Sequence, residues 1–302
     1  MGVAAGNEAA AGAPFVSVIV PHYSDLARLD LCLTALERQS FPRSRFEVVV
    51  ADNNSPQGRE AVERVIAGRA ALVVVPERGA GPARNGGVAA AKGELLAFTD
   101  SDCTPQPGWL AAGIEALDRC DFVGGAVQVL VEEPSAPTPT EAFEVVFAFD
   151  NERYVTRMGF TITANLFCPR RLFEAVGGFR VGVSEDLEWS HRARAAGYRI
   201  GYEARAAVGH PARTTWDELV RKWRRINLET FGLQRPGAMR TLKWTARNLL
   251  MPASAVAQTP RVIFDRRLPN WRARLGALAV LYRLRVWRLF DALRLLAPVR
   301  AD

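Results

Sequence analysis

Short β-branched runs alternate with helix-spaced apolar residues through the first half of the chain, and the alternation predicts the element order. "FVSVIVPHYS" (15–24) is a β-branched run ended by its proline, and so a buried strand. "DLARLDLCLTALERQ" (25–39) follows as a helix capped by Asp25, with Leu29, Leu33 and Leu36 on one face. "RFEVVVADNNS" (45–55) and "ALVVVPERGAG" (71–81) are two further strands, and "PARNGGVAAAKG" is a helix Gly-rich at its start. "ELLAFTDSD" supplies a fourth strand. Strands and helices at this spacing predict an α/β fold, a mostly parallel central sheet flanked by helices. Ligands of such sheets sit beyond the carboxyl ends of the strands. Asp52, Asn53, Asp100 and Asp102 fall at such ends.

Beyond residue 120 the pattern changes. "DFVGGAVQVL" (121–130) is a strand, and the Pro-rich "VEEPSAPTPTE" after it predicts a mobile or lid-like loop. Residues 142–158 predict one helix with an aromatic face of Phe143, Phe147, Phe149 and Tyr154. "FTITANLFCPRRLFEAVGGF" (160–179) reads as strand, helix and Gly-Gly turn. "VSEDLEWSHRARAAG" is a helix with acids at its start and arginines at its end, the order that a helix dipole favours. The C-terminal region predicts a helix over 213–235 and another over 272–296. The latter carries Leu275, Leu278, Tyr282, Val286, Leu289, Leu293 and Leu296 at intervals of three or four, beside Arg283, Arg285, Arg288 and Arg294.

Charge divides the chain in the same place. Residues 1–204 carry a net −7 and residues 205–302 a net +14. A basic tail on an acidic body implies different partners for the two parts. A basic amphipathic helix suits an anionic membrane surface, and the alternative is packing on the rest of the chain or on a second subunit. Four dispersed cysteines, Cys32, Cys103, Cys120 and Cys168, exclude a disulfide framework or a Cys-based zinc site and fit a reducing compartment. Residues 1–14 lack the features of a signal peptide and read as a disordered leader. No apolar run of about 18 residues is present to span a bilayer.

The candidate chemistry begins with two like charges, Asp100 and Asp102, closing an apolar strand. Such a pair asks for a positive partner. In order along the chain, "VSVIVPHYS", "VVVADNNS", "GPARNGGVAAAKGELLAFTDSD" and "VGGFRVGVSEDLEWSHRARAAGYRI" resemble the family-2 glycosyltransferases, whose fold is the GT-A (nucleotide-diphosphosugar transferase) type. The resemblance covers about residues 15–212 as a catalytic domain and leaves 213–302 as a helical basic region. It implies a metal-dependent inverting transfer of a sugar from a nucleotide-diphosphate donor to a hydroxyl acceptor, in cell-surface glycan or glycolipid synthesis.

The resemblance also assigns roles. Asp100–Ser101–Asp102 stands at the family's DxD motif, so Asp102 is expected to ligate Mn²⁺ or Mg²⁺ and Asp100 to face the ribose or the metal's water shell. Hard cations prefer such oxygen ligands together with phosphates. Asp52 matches the aspartate that contacts base or ribose, with a plain turn cap as its alternative. Pro21 and Tyr23 match the segment against the base. Arg84 and Asn85 match one facing the nucleotide, where glycines let the backbone approach a ligand. Asp186, the second acid of "SEDLEW", is the expected base, its pKa raised by Glu185. Asn165, Glu185 and Trp189 are expected on the acceptor side, Trp189 with a core role as its alternative, and His210 near the metal. The implied partners are a UDP- or dTDP-sugar, a glycan or lipid-linked acceptor and no nucleic acid. The implied location is cytoplasmic, with peripheral attachment to the inner face of the cell membrane. Competing readings are a nucleic-acid-binding protein using the basic helices and a sugar nucleotidyltransferase. The second lacks a Gly-rich, basic loop after the first strand.

Overall fold

The run Val16–His22 forms strand β1, buried along its whole length. Val18 and Val20 join one apolar cluster and Ile19 joins another, because successive side chains point to opposite faces of the sheet. Both faces are covered, which is why the strand reads as an unbroken apolar run. The computed structural model describes residues 15–232 and 237–296; the leader expected over residues 1–14 lies outside them.

The elements that follow are α1 (Leu26–Glu37), β2 (Phe46–Asp52), α2 (Arg59–Ile66), β3 (Ala71–Val74), α3 (Ala80–Ala90) and β4 (Leu95–Phe98). Next come β5 (Thr104–Pro105), α4 (Trp109–Ala116), β6 (Phe122–Leu130), α5 (Pro139–Phe147), α6 (Asn151–Arg153), β7 (Leu166–Pro169) and α7 (Arg170–Val176). The last are α8 (Glu185–Ala195), β8 (Ile200–Pro211), α9 (Trp216–Gly232), α10 (Ala238–Leu249), α11 (Met251–Ile263) and α12 (Trp271–Arg294). The eight strands form one sheet in the order β3-β2-β1-β4-β7-β6-β8-β5. β3, β2, β1 and β4 run parallel, as the alternating pattern requires. β7 then pairs antiparallel with both β4 and β6, so the sheet is mixed.

By density of contacts the chain divides into two units: one of residues up to Gln128 with Asn151–Val181 and Glu185–His210, the other of Val129–Asp150, Gly182–Ser184 and the chain from Pro211 onward. In the first unit, Asp25 caps α1 by accepting from the Arg28 N–H. Gly86 and Gly87 on α3 have a structural reason: a Cβ on either would lie 2.4 Å from Val75 or 2.7 Å from Ile19. These two glycines seat the helix on the sheet rather than open it to a ligand.

In the second unit, the single helix expected over 142–158 is broken. Thr138 and Glu141 close a capping box that starts α5 early, and α5 ends at Phe147. After the break, and already within the first unit, α6 runs into a π turn, Tyr154–Met158, and Tyr154 stacks on Phe160, whereas Phe143 and Phe147 pair in the second unit. The Pro-rich segment expected as a lid is stitched down: the Ser135 carbonyl accepts from Asn270, and the Thr138 hydroxyl donates to the Thr214 carbonyl. Glu144, almost fully buried, is paired with Arg213 and Lys222. α12 packs on α5, α9, α10 and α11. It does so through Ala273, Ala277, Val280, Leu281 and Leu284, a face opposite the large-residue stripe expected from the sequence. Leu275, Tyr282 and Val286 of that stripe are exposed.

Candidate active site

β4 delivers Asp100 just beyond its carboxyl end, and α3 delivers Arg84 to meet it. The Arg84 side chain is buried, and its guanidinium donates to Asp100 Oδ1 at 2.6 Å and to Glu185 Oε1 at 3.1 Å. Burial alone would lower its pKa. The carboxylates of Asp100, Asp186 and Glu185 outweigh that and hold it above its ordinary value. The positive partner of Asp100 is therefore a side chain from 16 residues upstream.

Asp186 sits in the first turn of α8, where an N-terminal dipole accommodates acids. Thr163 donates to its Oδ1 twice, from the backbone N–H at 3.0 Å and from the hydroxyl at 2.6 Å. Desolvation and the neighbouring Glu185 raise the Asp186 pKa to about 6, against the opposing pull of Arg84 and the Thr163 bonds. The carboxylate is thus tuned to take a proton near neutral pH, and Thr163 engages only one of its two oxygens. Arg84, Asp100, Glu185 and Asp186 form one cluster.

Asp102 lies across from His210, with Oδ2 and Nε2 3.6 Å apart. His210 is carried there by the end of β8 and is mostly buried. No group of three or more His, Cys, Asp or Glu placed to hold a metal occurs among the described residues. The pair offers one carboxylate oxygen and one imidazole nitrogen.

The other expected site residues fall elsewhere. Asp52 is buried at the end of β2; its two oxygens accept from the Ser55 hydroxyl and N–H, the geometry of a turn cap. Pro21 is buried in β1, whereas Tyr23 is 56% exposed just past the strand. Both ends of the Asn85 amide bond the Phe179 backbone, so this side chain holds the turn before α8 rather than facing a nucleotide. Asn165 is fully enclosed and spent on Trp109, Ala126 and Ala206, which places it in the sheet's interior rather than on an acceptor. Trp189 is likewise core: it has no exposed surface, donates to the Gly177 carbonyl and packs against Phe122 and Phe173.

Two residues escape a reading of the sequence. Thr163 lies in "FTITANLF", where nothing local marks it, and only its contact across 23 residues reveals it. His22 closes β1, fully buried, with Nε2 4.0 Å from Asp52 Oδ1. Burial lowers its pKa, against the pull of Asp52 and Asp25. A lone histidine between Pro21 and Tyr23 carries no pattern to single it out.

Comparison with known proteins places this geometry. Glycosyltransferase AglE of Haloferax volcanii is 32% identical over 70% of this chain and 72% of its own. Validoxylamine A glucosyltransferase of Streptomyces hygroscopicus subsp. jinggangensis is 27% identical over 78% of this chain, which spans 64% of that relative's length. Among solved structures, mannosyltransferase PcManGT from Pyrobaculum calidifontis, in complex with GDP-Man and Mn²⁺, matches with a TM-score of 0.60 at 22% identity, over 94% of this chain and 87% of that one. GalNAc-T7 with UDP, GalNAc and Mn²⁺ matches with a TM-score of 0.53 at 16% identity, over 67% and 45% of the two chains. These two show a GT-A fold. The model of the family described as glycosyl transferase family 2 matches residues 17–187. With more than half its length inside that match, the chain belongs to glycosyl transferase family 2.

Proposed function

We propose that the protein transfers a sugar from a nucleotide-diphosphate donor to a hydroxyl acceptor with inversion, Asp186 serving as the base. The observation that carries this reading is the Asp186 carboxylate, fixed through one oxygen by Thr163 and raised to about 6 by burial and Glu185. The free oxygen takes the acceptor proton as the acceptor oxygen bonds to C1 of the sugar. The C1–oxygen bond to the diphosphate breaks on the opposite face, and the electron pair leaves with the nucleoside diphosphate. Arg84 steadies Asp100 and Glu185 around the reaction centre, and its fixed charge keeps Asp186 from rising further.

Asp102 and His210 would hold a divalent cation, Asp102 through the carboxylate oxygen that Mn²⁺ and Mg²⁺ prefer and His210 through a nitrogen that suits Mn²⁺ better than the harder Mg²⁺. When bound, the cation would neutralise charge on the departing diphosphate. Mn²⁺ and nucleotide ligands in two fold neighbours support a nucleotide-sugar donor here. Family membership favours transfer over nucleotidyl transfer or nucleic-acid binding.

The test is calorimetric titration of UDP, dTDP and GDP into the protein, with Mn²⁺ and then with chelator. Metal-dependent binding that prefers one base is the expected result. Tight binding unchanged by chelator removes Asp102 and His210 from the donor site.

A further inference from the structure

The second unit turns large apolar side chains outward on successive helices. On α12, Trp271, Leu275 and Phe290 are more than half exposed, and Tyr282 and Val286 are 40% and 44% exposed. At about 100° per residue, Trp271, Leu275, Tyr282 and Val286 fall within an arc of about 60°. The small residues Ala273, Ala277 and Val280, which pack inward, lie on the far side of the helix. α12 therefore has two apolar faces, a small-residue face for the bundle and a large-residue face that is largely exposed among the described residues, although the Tyr282 hydroxyl bonds Thr259 and Leu278 packs on the bundle. Arg272 and Arg283 run along one border of the outer face, Arg283 stacked on Trp216; Arg274 and Arg285 run along the other, half-buried, Arg274 donating to the Ile263 and Asp265 carbonyls and Arg285 lying against Met251. α10 repeats the arrangement, with Met239, Leu242 and Leu249 exposed opposite the buried Trp244 and Asn248.

The charges decide what covers these faces. Gly237–Leu296 holds twelve basic residues and two acids, Asp265 and Asp291. Asp291 is buried and bound by Asn227, Arg224 and Arg294, and Asp265 is bound by Arg267. Neither of these two carboxylates is left to border the outer faces. A second copy meeting this surface symmetrically would set arginine against arginine, an arrangement that costs rather than stabilises. Phosphates of a lipid surface receive the arginines while the acyl boundary takes the aromatic and aliphatic side chains. No helix among the described residues is long and apolar enough to cross a membrane, so such a helix lies in the interface.

We propose that the outer faces of α10 and α12 dock the protein on an anionic lipid surface. The proposal stands apart from the catalytic reading, because it rests on the second unit alone.

The experiment is co-sedimentation of the full chain with vesicles of equimolar phosphatidylglycerol and phosphatidylcholine, and with phosphatidylcholine alone. The expected result is partitioning about tenfold stronger onto the anionic vesicles. It weakens as salt rises from about 0.1 M to about 1 M, where the screening length falls from about 10 Å to about 3 Å. A triple variant, Leu275→Gln, Val286→Gln and Phe290→Gln, should lose about tenfold in partitioning. Its melting temperature and nucleoside diphosphate binding should stay unchanged, since all three side chains face outward. A separate Met239→Gln, Leu242→Gln variant reads the α10 face in the same way. Equal binding to both vesicle types, or full binding by both variants, overturns the proposal. So does absence of vesicle binding by a protein that dimerises in sedimentation velocity or binds duplex DNA.

Discussion

Thr163 gives both of its hydrogen-bond donors to a single oxygen of Asp186, the backbone N–H at 3.0 Å and the hydroxyl at 2.6 Å. Two donors on one oxygen fix the carboxylate plane and stabilise its charged form. In Thr163→Val the N–H bond survives and the hydroxyl bond is lost. A hydrogen bond to a charged group contributes about 1.5–3 kcal/mol, or roughly one to two pKa units. The acidic limb of the kcat/KM profile should therefore move up by at least about one unit, with donor KM unchanged. A variant that merely lost stability would show a lower Tm and an unmoved limb.

Asp186→Asn should abolish turnover by about 10²–10⁴-fold while keeping nucleoside diphosphate binding, since the amide oxygen still accepts from Thr163. Stability should move the other way. A carboxyl whose folded pKa is about 6, against about 3.9 unfolded, holds its proton more tightly when folded. The wild type therefore loses stability as pH rises from about 4 to about 6, and the loss is complete above that window. Asparagine has no proton to lose. Denaturant unfolding at pH 4 and pH 8 should show the variant gaining on the wild type at the higher pH. An equal difference at both values contradicts the raised pKa.

Several of these relationships are legible in the chain and others are not, for physical reasons. Asp100 and Asp102 stand out because a buried strand has no reason to end on two like charges. Asp25 and the acids of α8 stand out because caps and dipoles act within one turn. The pairing of Arg84 with Glu185 spans 101 residues, and Thr163 reaches Asp186 across 23, so no local pattern marks either. The sheet's antiparallel half depends on how β7 returns, which strand periodicity does not encode. α12 misleads in a more particular way. Its leucines announce a stripe, while the alanines that seat it in the bundle are silent to a search for large apolar residues.

Trp189 separates an acceptor role from a core role by measurement. The indole is fully buried, donates to the Gly177 carbonyl at 3.0 Å and packs on Phe122. Trp189→Ala should cost about 3–5 kcal/mol of stability, the range for removing a large buried aromatic. Trp189→Phe should cost less, chiefly the lost volume of the indole, since Arg192 still donates to the Gly177 carbonyl. At a temperature where Trp189→Phe is folded, its acceptor KM should match the wild type. A raised KM with unchanged Tm would return this residue to the acceptor site.

Arg84 carries the last prediction, because its charge holds the cluster together. Asp100 and Glu185 bond its guanidinium directly, and Asp186 adds to the field that raises its pKa. Arg84→Met leaves these carboxylates facing one another around an uncharged side chain. Removing one partner of a buried ion pair costs about 3–5 kcal/mol, and the change should fall in that range at pH 8. The cost should shrink at pH 5. Without Arg84 the carboxylates bind protons more readily, and each proton taken up removes part of the repulsion. Arg84→Lys should recover only part of the loss, since one ammonium cannot span Asp100 and Glu185 as two guanidinium nitrogens do. Unfolding free energies of both variants at the two pH values decide it. A loss at pH 5 as large as at pH 8 would mean that Arg84 stabilises the fold by packing against Phe179 and not by its charge.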